Sequence, residues 1–254
     1  MPVRPSSFFS IPGALTASVW AASAAVLGRA GGTCLVCRAW CVGGVCDPCL
    51  ARFAAPVPRC DGCALEVPAG ASRCGACLLE PLLQRRSVAA LAYAYPWDDL
   101  VLRFKYRESP ALAVPLARRC VAALQAVDTA SIDLVLPVPL APPKLRERGY
   151  NQAWELARRI GPALGLPSHA GLLQRVLDGP SQQGGSRDER LQQVRHAFAL
   201  APGAQARLQG RHVALVDDVM TTGATAHAAA ATLLRAGAAA VDVWVLARTA
   251  DPRH

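Results

Sequence analysis

The stretch Val213-Ala214-Leu215-Val216-Asp217-Asp218-Val219-Met220-Thr221-Thr222-Gly223-Ala224-Thr225 decides the fold of this chain. A short apolar run ends in two adjacent carboxylates, and a turn rich in Thr and Gly then opens a helical pattern. An unbroken apolar run of this kind suits a buried parallel strand, here His212–Val216. Gly223–Ala236 reads as the helix that follows, with Gly237 as its C-cap. The backbone N–H groups of such a turn, together with the helix dipole, form a cradle for a phosphate. The hydroxyls of Thr221, Thr222 and Thr225 add donors. Paired carboxylates beside a phosphate suit a ribose, whose vicinal hydroxyls can each donate a hydrogen bond. They also favour a divalent cation and a developing positive charge. Helix capping alone needs one acid, not the whole string.

The flanking sequence repeats the alternation of strand and helix. Ser87–Tyr95 reads as a strand, and Trp97–Tyr106 as a helix with Leu100, Val101 and Phe104 on one face. Ala111–Leu124 reads as a helix with Pro115 in its first turn. Leu134–Val138 is a second buried strand, Asn151–Leu164 a helix lined by Ala153, Leu156, Ala157 and Ile160, and Val241–Ala247 a third strand. This order predicts an α/β fold with a parallel sheet covered on both faces, whose ligands sit at the carboxyl ends of the strands. After Leu134–Val138 comes Pro137-Val-Pro-Leu-Ala-Pro-Pro-Lys144-Leu-Arg146-Glu-Arg148-Gly149-Tyr150-Asn151-Gln152. It reads as a loop carrying three cations, Lys144, Arg146 and Arg148, able to neutralise a pyrophosphate.

Upstream, nine of the ten cysteines lie between Cys34 and Cys77. Eight of these form the C-x2-C pairs Cys34/Cys37, Cys46/Cys49, Cys60/Cys63 and Cys74/Cys77, with Cys41 left over. Each pair puts two thiolates on one tight turn, and two pairs complete a tetrahedral zinc site. Two structural zinc ions are expected. Sequential pairing is the simplest assignment; an interleaved one stays open. A disulfide framework needs an oxidising compartment, and a redox C-x-x-C needs a βαβ setting that is missing here. This segment is poor in large apolar residues, so metal would supply much of its folding free energy. Cys41 and Cys120 read as ordinary, Cys120 as a small buried hydrophobe. The expected organisation is a leader with a short helix at 1–30, a zinc-binding region at 31–81 and the α/β domain at 82–254.

Hydrophobic residues make up 52% of the 254-residue chain and charged residues 18%, which excludes a wholly disordered protein. The mean hydropathy of +0.24 raises the question of a membrane span. The one candidate, Ala14 to Leu27, is shorter than the ~20 apolar residues a bilayer requires. Arg4 before it faintly resembles an export signal, but zinc-bound thiolates argue for a reducing cytoplasm. The net charge of +9 is almost wholly arginine, which suits phosphate or nucleic-acid contact and equally a chain coded by GC-rich DNA.

The Asp-Asp string resembles the phosphoribosyl-diphosphate (PRPP) motif of type I phosphoribosyltransferases. With the cysteine pairs, Phe104-Lys105-Tyr106, Arg148-Gly149-Tyr150-Asn151-Gln152 and Leu246-Ala247-Arg248-Thr249, the chain resembles the ComF (competence protein F, GntX-like) family from Cys34 to Thr249. The resemblance implies a double zinc ribbon followed by a type I phosphoribosyltransferase-like domain. Asp217 and Asp218 would hold the ribose hydroxyls; Thr221, Thr222, Gly223, Ala224 and Thr225 the 5′-phosphate; Lys144, Arg146 and Arg148 the pyrophosphate, with Mg2+. The acceptor is unassigned, a purine base being the default across phosphoribosyltransferases. Arg175, Gln182, Arg190 and Ala197-Phe198 match the family's hood segment, whereas Gly179, Gly185 and Gln193 depart from it, and Asp178–Gly185 is expected to be flexible. The family also implies a role in DNA uptake, with competence proteins as partners. A non-catalytic protein binding single-stranded DNA is therefore the alternative, although aromatics are only 6% and scattered, without an evident stacking platform. A purely structural zinc adaptor would leave the Asp-Asp string without a use.

Overall fold

The computed structural model describes residues 31–106, 109–176 and 197–250. The expected leader helix, Gln182, Arg190 and the departures at Gly179, Gly185 and Gln193 lie outside them. The chain divides into two compact units that part between Asp47 and Pro48.

The first unit carries a small antiparallel hairpin of β1 (Gly31–Thr33) and β2 (Trp40–Val42). In chain order there follow α1 (Asp47–Phe53), α2 (Gly75–Leu79), β3 (Arg86–Ala92), α3 (Trp97–Tyr106), α4 (Ala113–Leu124), β4 (Leu134–Pro137), α5 (Pro142–Arg148) and α6 (Gln152–Ala163). The last elements are β5 (Leu173–Arg175), β6 (Phe198–Leu200), α7 (Ala204–Leu208), β7 (His212–Met220), α8 (Ala224–Arg235) and β8 (Ala240–Arg248).

The second unit is built on a four-stranded sheet of order β3-β8-β7-β4, parallel throughout. This is the expected α/β architecture. Strands β4, β7 and β8 are buried on both sides for nearly all their length, so they read as apolar runs, whereas the edge strand β3 alternates between buried and half-buried positions. Val213 and Leu215 enter one core cluster with Leu233 of α8, and Ala214 and Val216, facing the other way, are equally buried. Helix α3 buries Trp97, Leu100, Val101 and Phe104 at helical spacing. Helix α6 starts where the Asn151 side chain accepts from the amides of Ala153 (2.9 Å) and Trp154 (3.4 Å). A minor antiparallel pair, β5 with β6, lies outside the main sheet. No helix among the described residues is long and apolar enough to cross a membrane.

Two segments differ from their sequence reading. Strand β7 does not stop at Val216 but runs through both acids to Met220, because Val219 and Met220 still pair with Ala247 and Arg248 of β8. The basic stretch is not a loop but the short helix α5. Pro142 takes its first turn, where no N–H is needed, and Gly149 ends it at φ +74°.

Candidate functional site

Strand β7 delivers its two acids to the carboxyl end of the sheet, and alternation sends them in different directions. Asp218 is buried and pairs with Lys105 Nζ of α3 at 3.2 Å. Asp217 is half-buried, and its Oδ1 accepts from the Asp218 amide at 2.8 Å. Burial, and then the neighbouring Asp218 charge, push the Asp217 carboxyl up to about 7, against the opposing pull of Lys105 and Arg175. A carboxyl raised this far by crowding is common where a protein has been shaped for a ligand.

Beyond Met220 the chain turns at Thr221, Thr222 and Gly223. Gly223 has φ +82°, a conformation that disfavours any side chain, and it caps the twelve-residue helix α8. The Thr222 hydroxyl accepts from the Ala224 amide at 3.3 Å. Among the described residues, no protein group accepts from the amides of Thr221, Thr222, Gly223, Thr225 or Ala226. These donors line a depression whose wall includes Asp217. Free amides at the start of a long helix, with hydroxyls beside them, are a site for an anion of phosphate type.

The basic segment sits at the same end of the sheet, since the Val138 amide, just past β4, donates to the Val216 carbonyl at 2.8 Å. Lys144 and Arg146 are exposed on α5. Arg148 is not a free cation: Nη1 donates to Gln152 Oε1 (3.2 Å) and Nη2 to Tyr106 Oη (3.0 Å), and its guanidinium lies 4.7 Å from the Tyr106 ring centre. The Tyr150 hydroxyl donates to the Phe104 carbonyl, and Gln152 Nε2 to the Lys105 carbonyl at 3.4 Å. The two strings Phe104-Lys105-Tyr106 and Arg148-Gly149-Tyr150-Asn151-Gln152 thus clamp each other and hold Lys105 against Asp218. Sequence reasoning gave Lys105 no role. Its signals are scarcity, as one of two lysines in the chain, and its place in the Phe104-Lys105-Tyr106 string; neither names Asp218, which lies far along the sequence.

The cysteines form two groups, Cys34/Cys37/Cys46/Cys49 and Cys60/Cys63/Cys74/Cys77, with all sulfurs of a group within 4.8 Å of one another. The pairing is sequential, which closes the alternative left open by spacing. Cys37 and Cys46 sulfurs are 3.5 Å apart, and Cys63 and Cys74 sulfurs 3.6 Å. A tetrahedron of Zn–S bonds of ~2.3 Å has edges of about 3.8 Å, whereas a disulfide needs about 2 Å. No disulfide joins these cysteines, and both groups fit zinc. Burial alone would raise the Cys34 thiol, but amides of Cys37, Cys46 and Val36 outweigh it and bring it down to about 6. Cys60 is likewise raised by burial and drawn down, to about 7, chiefly by the Cys74, Cys63 and Gly62 amides. Such donors prepare Cys34 and Cys60 as thiolates for metal, whereas burial pushes Cys63 up to about 11 and raises Cys77 as well. Cys120 is buried in α4, as expected.

No protein-family model matches the chain. Competence protein F of Haemophilus influenzae is 35% identical over 160 residues, covering 61% of this chain and 69% of that protein. DNA utilization protein YhgH of Salmonella typhi is 32% identical over 225 residues, covering 86% and 97%. Among solved structures, the allosteric regulatory enzyme of purine biosynthesis aligns with a TM-score of 0.41 at 21% identity, over 57% of this chain and 30% of that one.

Proposed function

The chain belongs to the ComF family of competence proteins, and on that premise we propose that it is a phosphoribosyltransferase-like protein that binds PRPP with Mg2+ in the service of DNA uptake or the use of external DNA. Its organisation on this reading is a double zinc ribbon over 31–81 and a phosphoribosyltransferase-like body over 82–254. The observation that carries the proposal is the end of β7, where a crowded, half-buried Asp217 stands beside a turn whose Thr221, Thr222 and Gly223 amides donate to no protein group among the described residues.

In this reading the amides and hydroxyls of Thr221 to Thr225 bind the 5′-phosphate, and Asp217 and Asp218 accept from the ribose hydroxyls. Mg2+, when bound with the substrate, neutralises pyrophosphate charge. Transfer breaks the bond between the anomeric carbon and a pyrophosphate oxygen, and the departing oxygen keeps the electron pair. An acceptor then forms its bond at that carbon, which passes through an oxocarbenium-like state. The carboxylates stabilise the positive charge that develops on the ring. Lys105 holds Asp218 in place, and Lys144 and Arg146 meet the leaving pyrophosphate. Arg148 contributes by fixing α5 against Tyr106. Release of pyrophosphate from PRPP, assayed against a panel of purine and pyrimidine bases and nucleosides, tests catalysis. Turnover with one acceptor, abolished by Asp217→Asn, supports the enzyme. No turnover with any acceptor, in a protein that binds PRPP, leaves a binding protein on an enzyme scaffold.

The exposed Lys144 and Arg146 favour a second reading, in which α5 contacts the backbone of single-stranded DNA without catalysis. Salt-sensitive DNA binding that survives Asp217→Ala and falls in Lys144→Ala/Arg146→Ala supports it.

A further inference from the structure

The second cysteine group is joined to the phosphate turn by one buried side chain. Its first turn, Cys60-Asp61-Gly62-Cys63, gives three successive carbonyls to the α/β body. Asp61 accepts from the Ser87 amide at 2.7 Å. Gly62 accepts from Ser87 Oγ at 2.7 Å and from Gln84 Nε2 at 3.3 Å. Cys63 accepts from Arg248 Nε at 2.9 Å. Arg248 ends β8 and is only 5% exposed. Its Nη1 donates to the carbonyls of Met220 (3.1 Å), Thr221 and Thr249 (2.9 Å). One edge of this guanidinium therefore holds the carbonyl of a cluster cysteine, and the other holds the last two carbonyls before Thr222. An apolar contact runs in parallel: Ala64, the next residue after Cys63, packs in one buried cluster with Met220 and with Ala226 of α8.

We propose that Arg248 is a positioning residue through which metal occupancy of Cys60, Cys63, Cys74 and Cys77 sets the conformation of Met220–Gly223 and so the affinity of that turn for a phosphorylated sugar. A metal fixes the Cys63 peptide by tethering its sulfur. When the metal leaves, the carbonyl loses its fixed place, and a buried guanidinium cannot leave a donor unpaired without cost, so it shifts. The carbonyls of Met220 and Thr221 shift with it, and the amides that follow lose their convergence. Coupling between binding sites is reciprocal, so ligand at the turn must also strengthen metal retention. The step from turn to phosphorylated sugar rests on the function proposed above; the step from metal to turn does not.

The test is amide hydrogen exchange on the full chain, read over residues 217–226 with β4 and α6 as internal references, and with zinc content measured by native mass spectrometry. Cys74→Ala removes a ligand while leaving in place the carbonyl contacts of Asp61, Gly62 and Cys63 to Ser87, Gln84 and Arg248, and Cys46→Ala is the same change in the other group. The expected result is at least tenfold faster exchange over 217–226 in Cys74→Ala, unchanged references, and no effect of Cys46→Ala. Arg248→Lys, with zinc retained, gives the same rise, and combining it with Cys74→Ala adds nothing. Unchanged protection of 217–226 in Cys74→Ala overturns the proposal, as does full additivity of the two changes. If Cys74→Ala does not fold, Arg248→Lys decides alone: unaltered exchange there with zinc in place overturns it. Calorimetry with PRPP and Mg2+ separates the two layers. No PRPP binding by the wild type, alongside the exchange coupling, sinks the functional reading and leaves the coupling standing. Equal PRPP affinity in wild type and Arg248→Lys overturns the link to ligand.

Discussion

Replacing Asp217 by Asn is expected to stabilise the protein while removing its ligand. The carboxyl is raised from 3.8 to about 7, first by burial and then by Asp218. That rise, in which the pull of Lys105 and Arg175 is already included, corresponds to about 4 kcal/mol between the two charge states, a ceiling that partial exposure reduces to about 1–3 kcal/mol. The folded-state value lies above the unfolded one. Asp217 therefore costs nothing below pH ~4, costs progressively more as pH rises towards 7, and imposes its full cost above that. Asn keeps the oxygen that accepts from the Asp218 amide and cannot ionise. At pH 8 the variant should melt about 2–10 °C higher than the wild type, and the gap should close as pH falls to ~4. Thermal unfolding of zinc-loaded protein at steps from pH 4.5 to 8.5 gives the comparison directly. A variant that is less stable than the wild type by the same amount at every pH would refute the reasoning, because Asp217 would then be a structural acceptor and not a strained functional acid.

Four further outcomes are expected. Lys105→Met removes the 3.2 Å partner of buried Asp218 and one of the cations opposing the rise of Asp217; it should lower stability by about 1–3 kcal/mol at pH 8 and move the Asp217 titration above 7 by carboxyl NMR. Asp242→Ala acts at the other end of the sheet, where Asp242 receives Arg85 at 3.0 and 2.9 Å and faces His212 Nε2 at 3.1 Å; it should cost about 2–4 kcal/mol in urea unfolding and leave PRPP affinity unchanged. Cys120, its thiol pushed by burial up to about 12, should resist iodoacetamide at pH 8 until the protein unfolds, as mass spectrometry of labelled peptides will show. Strong chelation should release two zinc ions per chain and lower the melting temperature, with loss of ordered structure in 31–79 by circular dichroism and exchange.

The parts of this fold written in consecutive residues were legible. The parts made by distant residues were not. Val213 to Thr225 carries strand, acids, turn and helix start in one string, so its chemistry follows from local rules. The C-x2-C pairs are equally local, although only the fold shows that they close sequentially. By contrast, Lys105 meets Asp218, and Arg248 meets Cys63, only because β3, β8 and β7 lie side by side; nothing in either neighbourhood announces the partner. Helix α5 was hidden by Pro142 and Pro143, which read as loop residues until one sees that a first helical turn needs no N–H from them. Polar Asp217 and Asp218 disguised the continuation of β7, which depends on pairing with Ala247 and Arg248. Arg148 looked like a free cation because charge is visible in a sequence and a tyrosine ring waiting to receive it is not.

The most direct measurement is a calorimetric titration of the zinc-loaded chain with PRPP in the presence of Mg2+, repeated with Asp217→Asn and with Thr222→Ala. The account requires saturable binding at one site per chain in the wild type, with affinity reduced at least tenfold by each change. Absence of saturable binding, or binding indifferent to both substitutions, would contradict it.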